Sequence, residues 1–484
     1  MKDFTLAEIA KACNGEYVGD ESLKNTKITS VERDSRQVNN GSLFLAIKGE
    51  RVDGHDFIEK CFAQGAVCAL CEKAPEKATK PCIVVSSTLD AVKKIGRAYR
   101  EKFDIPVIGI SGSVGKTSTK EMLYAVLSQK FKTHKTQGNL NNELGVPLTL
   151  LSMPEDTEAA VIEMGISDFG EMTRLSEMVQ PTICVLTIIG ECHLENLGDR
   201  DGVLKAKTEM FKNARENADF ILNGDDDKLS TVKTVNGKKP VFFGLDAKND
   251  FYAKNIKNSG DGKVLATLCF DNNNIDVEIP AIGTYMVTNA LAAAAAGKLL
   301  GLTDEEIANG VASYKTVGSR ANVINTGKIK IIDDCYNANP TSVRASLDTL
   351  SNLDGRKVAI LGDMKELGSE ELKLHFDTGV YAKSKDIGTV ITVGELAKEL
   401  AKGADGKAFD TIEDAKPEIL KTIKSGDVVL VKASPSSTPI IAICKEGNLT
   451  QIRNAILSDL INDLIFEPID VESIKRRIKK HQTL

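Results

Sequence analysis

The sequence predicts an α/β protein of three domains, and three observations carry that reading. From residue 104 onward, short apolar runs alternate with amphipathic helical segments, the pattern of a parallel sheet with right-handed crossovers. A second series of the same kind starts near residue 328. The chain has 484 residues, more than one hydrophobic core organises.

Taken in order, residues 1–103 mix short strands and helices with turn-rich stretches such as QVNNGS and KGERVDGHD, which predicts an N-terminal α/β domain. In a central domain over 104–317, parallel strands are expected at PVIGI (106–110), AAVIEM (159–164), TICVLTI (182–188) and ADFILN (218–223). The break falls near YKTVGSRANV. A Rossmann-like C-terminal domain over 318–484 places strands at KIKIID (328–333), KVAILG (357–362), TVITVG (389–394) and DVVLVK (427–432). The Ala-rich stretch NALAAAAAGKLLGL (289–302) is too short to span a bilayer and reads as a packed helix.

Composition narrows the class. Hydrophobic residues make up 42% and charged residues 27%, and the net charge is −6. That balance argues against nucleic acid or an anionic membrane as the main partner. The opening MKDFTLAEIAKAC carries acids and lacks the apolar core of a signal peptide, so a cytoplasmic protein without stable membrane insertion is expected. Ten cysteines without scaffold spacing predict reduced thiols. Cys68 and Cys71 form a C-x-x-C on a predicted strand, which sends their side chains to opposite faces. Packing explains that pair better than metal or redox chemistry.

The stretch VIGISGSVGKTSTKEM (107–122) runs from an apolar strand through a Gly-rich turn into a helix. Glycines let such a turn aim its N–H groups inward, and a helix beginning near Lys116 points its positive end at the same place. Lys116 would reach outer phosphates, and the Thr117 hydroxyl would ligand Mg²⁺. The commonest spacing asks for glycine at 110, where Ile110 stands, so this is a different type of phosphate loop. Glu163 closes one neighbouring strand, and His193 follows another in IIGECHLENLG. Open α/β sheets bind ligands beyond the carboxyl ends of their strands. A carboxylate and an imidazole at that edge suit a metal bridging phosphate oxygens.

Further motifs follow in a fixed order: TQGNLNNELGVPLTLL (136–151), VIEMG (161–165), HLENLG (193–198), AKTEMF (206–211), NALAAAAA (289–296), DDCYNANPTS (333–342) and GDMKELG (362–368). Together with GSVGKTSTKEM they resemble the Mur ligases over about residues 1–433. The resemblance is strongest to the branch that joins D-alanyl-D-alanine to UDP-N-acetylmuramoyl-tripeptide, and DSRQVNNGSLFLAIKGERVDGHDF (34–57) fits the same branch. The Mur-type loop is G-x-x-G-K-T, here Gly112 to Thr117, with no glycine demanded at 110.

The resemblance implies an ADP-forming, ATP-dependent ligase of peptidoglycan precursor synthesis that works through an acyl phosphate. It implies that Gly112, Ser113, Gly115, Lys116, Thr117 and Ser118 hold ATP phosphates, and that Thr117, Glu163 and His193 hold Mg²⁺. Lys207 matches the lysine that Mur ligases commonly carbamylate, a reaction that needs the neutral amine. Lowering a lysine's pKa by about 3 units would require about 4 kcal/mol of bias against the charged form. Asn289 matches the adenine contact, Asp334 and Tyr336 an ATP contact, and Arg320 the arginine that stabilises the transferring phosphoryl group. Ser35 and Arg36 fit the uridine-nucleotide pocket, and Asn142 is expected among the substrate-binding residues. Part of DDCYNANPTS also reads more simply, with Asn339 and Pro340 as an N-cap and first helical residue. A monomer whose C-terminal domain closes over ATP and excludes water is expected.

One departure stands out. The family's Lys-[Gly/Ala]-Ser-Arg-Ser pattern reads KASPSSTPIIAICKEG here, so Lys432, Ala433 and Ser434 match while Pro435 replaces the arginine. Proline offers neither a charge nor an N–H. A Mur-type ligase with a different acceptor, or a non-catalytic nucleotide-binding paralogue, are the alternatives this leaves. The tail from about 434 carries apolar residues at helical spacing and a basic end.

Overall fold

The computed structural model describes residues 1–49, 51–259 and 262–433, so Ser434, Pro435 and the tail after them lie outside the described residues. The chain divides into two compact units. One holds residues 1–317 with 339–345 and 366–371, and the other holds the remaining residues from 318. Among the described residues, no helix is long and apolar enough to cross a membrane.

In the first unit an N-terminal sheet runs in the order Glu16–Val18, Cys82–Val84, Cys68–Cys71, Ser42–Leu45, Ser30–Glu32. Its first pairing is antiparallel and the others are parallel. Cys68 and Cys71 do enter different apolar clusters, Cys68 with Leu43 and Ile83, Cys71 with Phe44 and Phe62. Every described cysteine is free and buried, which suits a packing role.

The central sheet is parallel throughout, in the order Val241–Phe243, Asp219–Asn223, Ile183–Leu186, Val107–Ser111, Ala159–Glu163, Thr133–Lys135. Its inner strands are buried along their whole length because both faces are covered, and they are apolar up to the polar ends Ser111 and Glu163. Val107–Ser111 lies in the middle, with Gly109 paired to Ile162 on one side and to Cys184 on the other. The chain thus fills one side of this strand before crossing to the other, which leaves a crevice at its carboxyl end. The strands at either edge, Thr133–Lys135 and Val241–Phe243, are too short to announce themselves by apolar pattern.

An unexpected antiparallel sheet follows, formed by Tyr252–Ser259, Lys263–Phe270 and Asn273–Ile279. One face is wet, and its last strand alternates exposed and buried residues. The other face packs with helices Lys116–Leu127 and Tyr285–Leu299 around one apolar cluster, in which Ala290 and Ala292–Ala296 are fully buried. The Ala-rich stretch is therefore a packed helix, as expected.

The second unit carries a sheet in the order Asn322–Asn325, Lys330–Asp333, Asp427–Lys432, Arg356–Gly362, Thr389–Val393, Lys407–Phe409. All but the first pairing are parallel. The helix Pro340–Ser351, whose first residues belong to the first unit, begins as predicted, with the Asn339 Oδ1 accepting from the Ser342 N–H at 2.8 Å.

Helix Thr88–Arg100 joins the N-terminal and central layers. Ser87 caps it by accepting from the Asp90 N–H. At Gly96 a Cβ would stand 2.6 Å from the Pro147 Cβ, so only glycine lets the two layers meet this closely. The helix ends in Arg100, fully buried, whose guanidinium donates to Phe103 O (2.6 Å), Val179 O (2.9 Å) and Gln180 O (3.3 Å). Val179 ends helix Glu171–Val179, where partial negative charge gathers. Burial pulls the guanidinium's pKa down to about 10. Arg100→Met strands these carbonyls and is expected to lower the unfolding free energy by about 3 kcal/mol in denaturant melts.

Candidate functional site

The site grows from the end of the middle strand. Gly112 follows it with φ 147°, and a Cβ there would lie 2.0 Å from the Thr187 Oγ1. Gly115, at φ 86°, precedes helix Lys116–Leu127 in a left-handed conformation. Between them, the Ser113 N–H donates to Ile188 O (2.8 Å), and its hydroxyl accepts from the Gly190 N–H (3.0 Å). The Thr187 hydroxyl donates to Val114 O at 2.5 Å. The loop is therefore held open from beneath by the strand-end segment 187–190, with the first helical N–H groups at its mouth. Lys116 folds back onto Gly112 O (2.7 Å), and Ser118 is half-buried in the first helical turn.

Thr117 faces the neighbouring strand. Its hydroxyl reaches both Glu163 oxygens, at 2.9 and 3.1 Å, and both side chains are buried. Asn141 donates to the Glu163 Oε1 at 2.9 Å. Asn142 instead serves the local turn, its Oδ1 accepting from the N–H groups of Leu144 and Gly145. Of the two neighbouring asparagines, Asn141 is the one whose side chain reaches the carboxylate. Asn289 is buried with its Oδ1 accepting from Thr119, one turn along the loop helix.

On the other side of the loop, His193 takes a left-handed φ of 53°, an uncommon state for a non-glycine residue and one that gathers at functional sites. Residues the sequence reading did not single out hold its loop. Asp226 accepts from the Ile189 N–H (2.9 Å), and Arg200 donates to Ile189 O (2.8 Å). Burial pushes the imidazole below its ordinary pKa; the Glu366 carboxylate paired with its Nδ1 opposes this, while the charges of Lys207 and Lys116 push it further down.

Lys207, on helix Arg200–Thr208, is completely buried, and its amine has no hydrogen-bond partner among the described residues. Burial lowers its pKa to about 8, with Lys116 adding to the shift. Burial thus shifts the amine toward its neutral form relative to a free lysine.

In the second unit, Asp334 follows strand Lys330–Asp333 and accepts from Lys432 Nζ and from the Ser346 hydroxyl, both at 2.6 Å. The Arg320 guanidinium carbon lies 3.7 Å from the centroid of the Tyr336 ring, a cation–π contact. In the N-terminal sheet region, Ser35 and Arg36 sit in a turn that Asp34 organises, accepting from the Arg36 backbone (2.9 Å) and guanidinium (2.7 Å). Those bonds hold the Asp34 carboxyl at about 2, well below the usual range.

Among the described residues no three His, Cys, Asp or Glu side chains make a ready metal cluster. The donors expected here include a threonine hydroxyl and a modified lysine. The buried Thr117–Glu163 pair and the orphaned Lys207 amine fit a divalent cation whose donor set a modified Lys207 would complete.

Lys207→Met removes an uncompensated buried amine and is expected to raise Tm in CO₂-free buffer. The native lysine binds fewer protons than the unfolded one between about pH 8 and 10.5, so the wild type gains stability as pH rises through that window. The variant's advantage should be largest below pH 8 and vanish near 10.5 in melts across pH.

Three family models match the chain: Mur ligase family, catalytic domain, over residues 27–111; Mur ligase middle domain over 110–297; and Mur ligase, glutamate ligase domain, over 319–435. The UDP-N-acetylmuramoyl-tripeptide–D-alanyl-D-alanine ligase of Bacillus subtilis (strain 168) is 35% identical over 480 residues, covering 96% of this chain and 99% of its own. The crystal structure of MurF from Acinetobacter baumannii superposes with a TM-score of 0.86 at 32% identity, over 93% of this chain and 99% of that one. MurF ligase from Thermotoga maritima, in complex with ADP, has a TM-score of 0.78 at 29% identity over 87% and 98%. With a phosphate loop at the centre of a parallel sheet and relatives matched end to end, the chain belongs to the Mur ligase family.

Proposed function

We propose that the chain joins D-alanyl-D-alanine to UDP-N-acetylmuramoyl-tripeptide with ATP, the reaction for which its full-length relatives are named. One observation carries the reading to this site: the Lys207 amine is buried and unpartnered near the Lys116 charge and the His193 imidazole, at a phosphate loop. The ADP bound by the Thermotoga maritima protein supports ATP as the nucleotide.

In this reading the N–H groups of residues 112–118 hold the phosphates, and Lys116 leaves Gly112 O to meet the outer ones. Asn289 contacts adenine, and Asp334 and Tyr336 line the nucleotide. Neutral Lys207 adds CO₂ at its nitrogen and loses a proton, becoming a carbamate anion. Thr117, Glu163, His193 and that carbamate would hold Mg²⁺, which when bound offsets phosphate charge. The tripeptide carboxylate attacks the γ-phosphorus, ADP departs, and an acyl phosphate forms. Carboxylate oxygen is a poor leaving group, and phosphorylation makes it a good one. The amine of D-alanyl-D-alanine then attacks the acyl carbon, loses a proton and expels phosphate. Arg320 and Lys116 neutralise charge as the two anions meet. Ser35 and Arg36 hold the uridine end, and Asn142 lies on the substrate side.

Incubation with Mg-ATP, UDP-N-acetylmuramoyl-tripeptide and D-alanyl-D-alanine should yield a UDP-linked pentapeptide by mass spectrometry. Phosphate release without that product would keep the activation step and reject the acceptor. Lys116→Ala should lower kcat/KM by at least about 10³-fold.

A further inference from the structure

Lys120 lies one turn beyond Thr117 on the loop helix and is 1% exposed. A buried ammonium so close to a phosphate site needs an explanation, because phosphates do not reach a side chain sealed beneath the loop. Its neighbours supply one. The Lys120 Nζ stands 3.3 Å from the Glu121 Oε1 and 3.5 Å from the Glu163 Oε2, and both carboxylates are buried. Glu121 is in turn paired with Lys135 on the edge strand Thr133–Lys135, and the Lys135 ammonium lies 4.0 Å over the Tyr124 ring. Two cations and two anions thus form a closed, neutral chain that begins on the edge strand and ends at Glu163.

Glu163 is bonded on three sides, by the Thr117 hydroxyl, the Asn141 amide and the Lys120 charge. Of these, the lysine alone compensates its charge. Resting on the reading of Thr117 and Glu163 as divalent-cation ligands, we propose that Lys120 is a positioning residue which serves as the resident countercharge of Glu163. It holds the carboxylate oriented while no divalent cation is bound, and it weakens the cation's hold once one arrives. The site then trades one positive neighbour for another, and neither state leaves a buried carboxylate unpaired.

The test uses the full-length protein, thermal melts in EDTA, and Mg²⁺ titrations with saturating ADP. In Lys120→Met, Tm in EDTA should fall, and Mg²⁺ should recover more than it adds to wild type, by at least about 3 °C. The half-saturating Mg²⁺ concentration should drop about tenfold, because one repelling charge is gone. Lys120→Arg should restore wild-type behaviour. A Lys120→Met protein whose Mg²⁺ response equals that of wild type would overturn the proposal. Should that variant not fold, Glu163→Gln supplies the second leg: adding Lys120→Met to it must cost less than in wild type, and an equal cost or loss of folding rejects the pairing. If wild type itself shows no Mg²⁺ response with ADP, the cation-site reading fails, while the cycle in EDTA still decides the Lys120–Glu163 pairing.

Discussion

No side chain fits at Gly112 without striking the Thr187 hydroxyl, and that close approach governs the first unit. It lets the loop turn directly over the neighbouring strand end, so Ser113 and Val114 bond to the segment 187–190. With the loop seated there, the helix after it runs back along the sheet, and Thr117 lands on Glu163. A larger residue at 112 would lift the loop and draw Thr117 away from Glu163.

The strand order converts this local contact into a site. Because Val107–Ser111 has Ala159–Glu163 on one side and Ile183–Leu186 on the other, three carboxyl ends converge. One supplies the loop, one the carboxylate, and one the segment leading to His193. Asp226 and Arg200 then fix that last segment by its backbone, a rigid support for a histidine held in an unfavourable conformation.

Charge is buried here in two different ways. Arg100 and Lys120 are satisfied, one by carbonyls and one by carboxylates. Lys207 is not, and its lowered pKa records the cost. A buried amine left without a partner costs stability that paired charges do not.

The sequence by itself determined the parallel strands, the loop and the helix after it, because apolar runs, glycines and caps act over a few neighbours. Glu163 and His193 were legible for the same reason, as residues at predicted strand ends. The wet antiparallel sheet was not, since its two outer strands, Tyr252–Ser259 and Asn273–Ile279, mix polar and apolar residues and leave the apolar middle strand Lys263–Phe270 without a legible partner. Nor could sequence tell Asn141 from Asn142, as the two differ in direction and not in type. Tertiary structure alone decided that Lys120 and Lys207 are buried, and that one is paired and the other orphaned. Burial and pairing depend on groups tens to hundreds of residues away, brought together only when the sheet orders its strands.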